Sequence, residues 1–395
     1  MVNPKAAFFG KIYIYLPNKK LIIMHSLHFL HFLRNRELDE IYASVAIRSF
    51  ALSMISIFIP IYFLSLNYSL KEVFLFYAVI YGVHTLVTLP AGFLVSRFGF
   101  KHCILFSLPF LIAFYTLLYT LDSFGWSILL LAFLFGINSA LFWVGFHTDF
   151  AKFSDKKYRG EELGLVNIFS SLAGVAGPLI GGLIIAFIGF HILFALVLVL
   201  IFFSAVPLFF SKDIHEPFNF SLQQIFTDHK IKDCLAFFGH GVEIDAYAVL
   251  WPTFIFLFIL NDFPLLGFVA ALSLFFSLIS TFVIARLSDI KRKAMLRIGA
   301  LFNALIWGLR TVISTSLQVF IIDSFYGISK IMKQVSFNAL SYDKATQENI
   351  LEFILFRELI IPLGRASLFI SMIFLSDFKI GFIFASVASL FYLLF

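Results

Sequence analysis

Long apolar stretches alternate with short polar intervals along almost the whole chain, from Ile41 to Phe395. A bilayer core of about 30 Å needs about 20 apolar residues per helix, and runs of that size recur throughout. Breaking them at Gly, Pro and charge clusters places six spans at 41–64, 73–96, 102–121, 126–148, 162–188 and 191–210. Six more fall at 233–260, 263–287, 295–314, 317–336, 349–375 and 378–395. Between the two sets runs 211–232, a polar interval holding Lys212, Asp213, Glu216, Gln223, Gln224 and Asp228. The pattern predicts an all-α integral membrane protein of about twelve transmembrane helices in two pseudo-symmetric six-helix bundles. Its parts are an N-terminal segment (1–40), a first bundle (41–210), a central loop (211–232) and a second bundle (233–395).

An internal repeat supports this division. The first span ends Ile59-Pro60-Ile61-Tyr62-Phe63-Leu64 and the seventh Trp251-Pro252-Thr253-Phe254-Ile255-Phe256, with the prolines 192 residues apart (252 minus 60). A basic loop follows each: Ser96-Arg97 sets onto Asp289-Ile290-Lys291 when Ser96 is placed on Asp289, at an offset of 193 (289 minus 96). Parallel halves of this kind are a recurrent transporter plan.

Composition removes the soluble alternatives. The chain is 61% hydrophobic and 13% charged with a mean hydropathy of +0.97, against roughly 45–50% apolar and about 25% charged in soluble domains. The net charge of +6 is spread over short loops rather than gathered on a basic domain, so no nucleic-acid partner is expected. Those loops fall on alternate sides. One set holds Arg97 and Lys101, Lys152 to Arg159, the central loop, Arg286 to Arg297 and Lys344, while the other holds only Lys71 and Lys379. Basic loops stay cytoplasmic, which predicts the cytoplasmic membrane as location and both termini inside.

The first forty residues stand apart. The run 21–33 is short, carries His25, His28 and His31 and lacks a small-residue cleavage site, so it is expected to lie in the membrane interface. Cys103 and Cys234 support neither a disulfide framework nor a metal site. The 56 phenylalanines read as lipid-facing filler.

At the second basic loop, Gly92-Phe93-Leu94-Val95-Ser96-Arg97-Phe98-Gly99-Phe100-Lys101 resembles the signature of the major facilitator superfamily, Gly-x-Leu-Ala-Asp-Arg-x-Gly-Arg-Lys. Gly92, Leu94, Arg97, Gly99 and Lys101 match, whereas Ser96 replaces the usual aspartate and Phe100 the usual arginine. The resemblance implies a gating loop, with Asp289 as the second-half counterpart, that locks the halves in the outward-open state; Ser96 implies a weaker or different lock. Gly174, Gly177, Pro178, Gly181 and Gly182 are similar to the end of the family's helix-5 motif, often seen in antiporters, although small residues four apart also serve packing alone. The run Tyr158-Arg159-Gly160-Glu161 is family-like too, and the likeness in architecture covers about residues 40–395.

Charge inside a span costs about 2.5–3.5 kcal/mol per residue, so retained charges face partners or water. The spans keep Arg48, Glu243, Asp245, Arg310, Asp323, Lys330, Lys333, Glu352, Arg357, Glu358 and Arg365. In the family fold, helices 1, 4, 7 and 10 line the cavity. The candidate cavity residues are therefore Arg48, Trp143, Glu243, Asp245, Tyr247, Asp323, Lys330, Lys333, Arg357, Glu358 and Arg365. Trp143 is joined at the end of its span by His147 and Asp149, which also suit a water boundary. Glu243 is the expected proton carrier, since a carboxylate in a partly dry cavity exchanges protons near neutrality. The other reading is that these acids and bases pair with one another as struts.

Rival functions find little support. His240 and Asp245 have the His-x-x-x-x-Asp spacing of glycerolipid acyltransferases, but a helix sets them about 140° apart. No His-Glu-x-x-His or Gly-x-Ser-x-Gly run occurs, and nothing resembles a channel filter. The expectation is a monomeric secondary transporter, not an enzyme. It needs no cofactor or metal and moves a small solute through the lipid bilayer by alternating access. Proton coupling, uptake versus export and substrate identity stay open; six intramembrane bases against five acids lean toward an anionic group, and export of an amphiphile is the alternative.

Overall fold

A computed structural model of the chain describes residues 36–153, 174–209, 221–227, 230–345 and 349–395. The expected interfacial helix, the Tyr158–Glu161 run and most of the central loop lie outside the described residues.

Twelve helical spans are present among the described residues. α1 runs Arg36–Ile55, tightens into a 3-10 turn at Ser56–Phe58 and continues Ile59–Ser65, with Pro60 in the first turn of this last piece. There the missing N–H breaks no hydrogen bond. α2 (Leu70–Phe98) starts on a capping box in which Ser69 and Glu72 each receive the other's backbone N–H. Gly99, at φ 87°, turns the chain directly into α3 (Phe100–Tyr119), a backbone conformation that glycine adopts without strain. α4 (Ile128–Phe153), α5 (Gly174–Phe187) and α6 (Phe190–Ser204) complete the first half.

In the second half, α7 (Ile231–Leu260) contains two π-helical stretches, Ala246–Leu250 and Phe256–Leu260. A loop is expected between spans 8 and 9, yet the helix runs continuously over Phe263–Arg310 with Lys291 alone non-helical (φ −137°, ψ 50°). Lys and Arg are good helix formers, so the charged stretch outside the apolar zone stays helical; α8 (263–290) and α9 (292–310) are its two arms. α10 (Ser316–Lys344) likewise extends past the expected end at 336 through a polar final stretch. α11 (Ile350–Leu375) and α12 (Phe378–Leu390) close the chain. Eight described helices are long and apolar enough to cross a membrane, and two shorter ones are apolar.

One end of the bundle carries Arg97, Lys101, Lys152, Lys293, Arg297 and Lys344 and is called the basic face; the far face carries Lys71 and Lys379. Two apolar cores sit one above the other, and each draws on both halves. The core toward the far face joins Phe58, Phe74 and Tyr77 to Trp251, Phe369 and Phe378. The core toward the basic face joins Ala91, Val95 and Phe150 to Phe237, Tyr342 and Leu355. On the far side, Phe369 stacks on Tyr77 with ring centres 5.0 Å apart, and Gly182 of α5 and Gly267 of α8 let the backbones of the two halves touch. On the basic side, α2 meets α11 where Gly92 faces Leu355.

Candidate functional site

Between the two apolar cores lies a buried polar layer that joins the halves. Glu358 of α11 is its centre. One carboxylate oxygen lies 3.6 Å from His84 Nε2 on α2 and the other 3.6 Å from His147 Nε2 on α4. Arg357 Nη1 is 3.4 Å from the same carboxylate. The Thr88 hydroxyl donates to the Glu358 backbone carbonyl (3.2 Å). His84 Nδ1 is 3.1 Å from Ser139 Oγ and His147 Nδ1 is 2.5 Å from the Tyr342 hydroxyl. Trp143 stacks on His147 with centres 5.1 Å apart. Two turns farther along α11, Arg365 reaches Asp245 of α7 at 3.9 Å and lies over the Tyr81 ring of α2. A carboxylate held between imidazoles of the opposite half links proton occupancy to contact between the halves, because each protonated imidazole adds an ion pair across the seam.

A second network is internal to the second half. Glu243 forms an ion pair with Lys333 of α10. The Tyr326 hydroxyl (2.7 Å) and the Trp307 indole (3.4 Å) donate to its other oxygen. Both oxygens of Glu243, the expected proton carrier, are thus engaged by partners on α9 and α10, the paired arrangement that the other reading of these charges describes. Arg310 pairs with Asp323 at 2.5 Å, and the Trp251 indole donates to the same carboxylate (2.8 Å). The Arg310 guanidinium is stacked among Trp251, Trp307 and Tyr326. Lys330 lies over the Tyr247 ring at 4.7 Å. Glu352 accepts from the Ser221 backbone and so anchors the end of the central loop.

Arg48 stands alone in the first half. Its Nη2 donates to Asn138 Oδ1 (2.9 Å) and its guanidinium covers Phe142 at 3.8 Å. His240 and Asp245 diverge: His240 meets the Tyr392 hydroxyl at 2.5 Å while Asp245 faces Arg365. No acyltransferase-like dyad forms between them. Tyr81, His84 and Tyr342 were not among the expected site residues. His84 carried a legible signal, an ionisable group in mid-span; Tyr81 and Tyr342 carried none.

Residues 41–227 match the sequence model described as Major Facilitator Superfamily. The fold is similar to that of the human organic anion transporter MFSD10 (TETRAN), with TM-score 0.69 and 12% identity over 91% of this chain and 99% of that one. It is also similar to a variant of the E. coli fucose:proton symporter FucP, with TM-score 0.68 and 11% identity over 93% of this chain and 97% of that one. By fold and by the sequence of its first half, the chain is similar to members of the major facilitator superfamily. It is thus a multi-pass membrane protein with a transporter fold. No curated protein matches the chain in sequence.

The facilitator motifs take definite places. A Cβ on Gly92 would come within 2.6 Å of Leu355, so this glycine sets the α2–α11 approach. Ser96 donates to the Phe93 carbonyl of its own helix (2.9 Å), Arg97 leans on Phe98 and Lys101 is buried at the start of α3. The side chain of Asp289 lies outside the described residues. Two ion pairs at the basic face, Arg292–Asp343 and Lys344–Asp233, are internal to the second half. In the helix-5 motif, Gly177 and Gly181 face Ser53 and Met54 of α1, Gly182 faces Phe263 of α8, and Gly174 faces Leu274. Pro178 presents its carbonyl to Gly267.

Proposed function

We propose that this facilitator is a secondary active transporter. It moves a small organic solute across the cytoplasmic membrane by alternating access, acting as a monomer with both termini in the cytoplasm and drawing on the proton gradient. The observation that carries this reading is the polar layer sealed between two apolar cores that both halves share. Rocking the halves about that layer opens one core while the other stays closed, and Glu358 exchanges its partners as this happens. We assign proton coupling to Glu358 rather than Glu243, because Glu358 touches the opposite half while Glu243 is committed to Lys333. The charged and titratable groups facing Glu358 are His84, His147, Arg357 and Arg365, with Tyr342 beyond His147. The similar organic anion transporter and fucose:proton symporter support solute transport and proton use. The helix-5 glycines are accounted for by their contacts with α1 and α8 and give no separate support to export.

The test is side-specific labelling of single cysteines beside Glu358 in reconstituted vesicles, paired with solute uptake. Reaction from either face in alternation supports the reading, and simultaneous reaction from both faces describes a channel and overturns it. Glu358→Gln is expected to abolish proton-driven accumulation while sparing solute exchange. Loss of coupling in Glu243→Gln with normal coupling in Glu358→Gln would return the proton to the α7–α10 network.

A further inference from the structure

Arg48 is only 5% exposed, yet among the described residues no carboxylate pairs with it. Its partners are neutral: Asn138 Oδ1 at 2.9 Å and the face of Phe142 at 3.8 Å. The ionisable group within electrostatic reach is the Tyr115 phenol, uncharged at neutral pH. Nη1 is buried and has no hydrogen-bond partner. The other buried arginines differ, since Arg310 and Arg357 each have an acid within 4 Å, as does the half-buried Arg365. A buried charge without a counter-ion is strongly unfavourable, and among the described residues Arg48 lacks one.

The surroundings hold the guanidinium in one orientation. Asn138 is itself fixed, because its Nδ2 donates to the Ser107 carbonyl at 2.7 Å, and through Oδ1 it holds Nη2. Phe142 covers one face of the guanidinium. The unused donor on Nη1 is what remains for a ligand. We propose that Arg48 is the subsite for the carboxylate of a small organic monoanion whose apolar body lies against Phe142. A guanidinium fork matches carboxylate geometry. A single cation with no second base in reach balances one negative charge rather than the two of a phosphate monoester. The proposal rests on the transport reading above for the route by which a solute reaches the site, and it names the substrate class.

The experiment is thermal unfolding of the full detergent-purified chain with acetate, lactate, benzoate and phenylacetate, against benzamide and inorganic phosphate. At least one carboxylate is expected to raise Tm saturably, and benzamide, which keeps the shape of benzoate without its charge, is expected to have no effect. Arg48→Gln keeps an amide donor for Asn138 and removes the charge; it should lose the carboxylate shift while its unliganded Tm stays level or rises. Asn138→Asp places a carboxylate on Arg48 from within the protein, so it should raise the unliganded Tm and abolish the response to added carboxylate. The proposal is overturned if no carboxylate shifts Tm, if benzamide equals benzoate, or if the shift survives in either variant. A fall in unliganded Tm for Arg48→Gln would make Arg48 a packing strut and also overturn it. Alternating labelling without a carboxylate response would sink this inference alone; a carboxylate response through Arg48 without alternating labelling would leave the subsite and sink the transport reading.

Discussion

At the scale of single residues, buried ions differ in what they join. The Lys333–Glu243 pair is wholly inside the second half, so removing one partner strands the other in a dry interior. Lys333→Met is expected to destabilise the protein by about 3–5 kcal/mol, and the double variant Lys333→Met with Glu243→Gln should recover most of that loss, both read by thermal unfolding. A double variant no more stable than the single one would mean that the pair is not coupled. Which acid meets which base was not legible in the sequence. Helical spacing groups Asp323, Lys330 and Lys333 on one face of α10, but their partners sit on two other elements: Arg310 on α9, and Tyr247 and Glu243 on α7. Such choices depend on how helices rotate against one another, and hydropathy carries no record of that rotation. The presence of the charges was legible, because each one stands out against an apolar span.

At the scale of elements, the spans were readable wherever an apolar run ended in glycine, proline or charge. The departures have two origins. The kinked helix through Lys291 and the long tail of α10 carry a helix on into polar sequence, while the π-helical stretches of α7 lie within an apolar run and leave no mark in its hydropathy. Close helix contacts are more predictable. A methyl group on Gly181 would collide with the Met54 backbone carbonyl, whereas Gly82 has nothing within 4 Å. Gly181→Ala should therefore cost roughly 1–3 kcal/mol through separation of α1 and α5, while Gly82→Ala should be neutral or stabilise by up to about 1 kcal/mol. Equal melting temperatures for the two variants would contradict the α1–α5 contact.

At the scale of the whole molecule, the halves meet on both sides of the polar layer, and the contacts differ in kind. Toward the far face they are aromatic stacking and glycine-mediated backbone approach; toward the basic face they include the α2–α11 contact at Gly92 and Leu355. Cysteines at these two positions should form a cross-link under mild oxidation. Transport should then stop and resume on reduction; continued transport by the cross-linked protein would show that α2 and α11 need not part there.

The π-helical stretch Phe256–Leu260 bears on how the two halves match in length. The prolines of α1 and α7 are offset by 192 (252 minus 60), but the starts of α2 and α8, Leu70 and Phe263, are offset by 193 (263 minus 70). The second half is thus one residue longer between Pro252 and Phe263 than the first is between Pro60 and Leu70, in the stretch of α7 where the helix widens to a five-residue period. A wide turn takes up an extra residue without displacing the elements after it. The two halves differ in length inside a membrane helix, and the difference is taken up by a bulge rather than a longer loop.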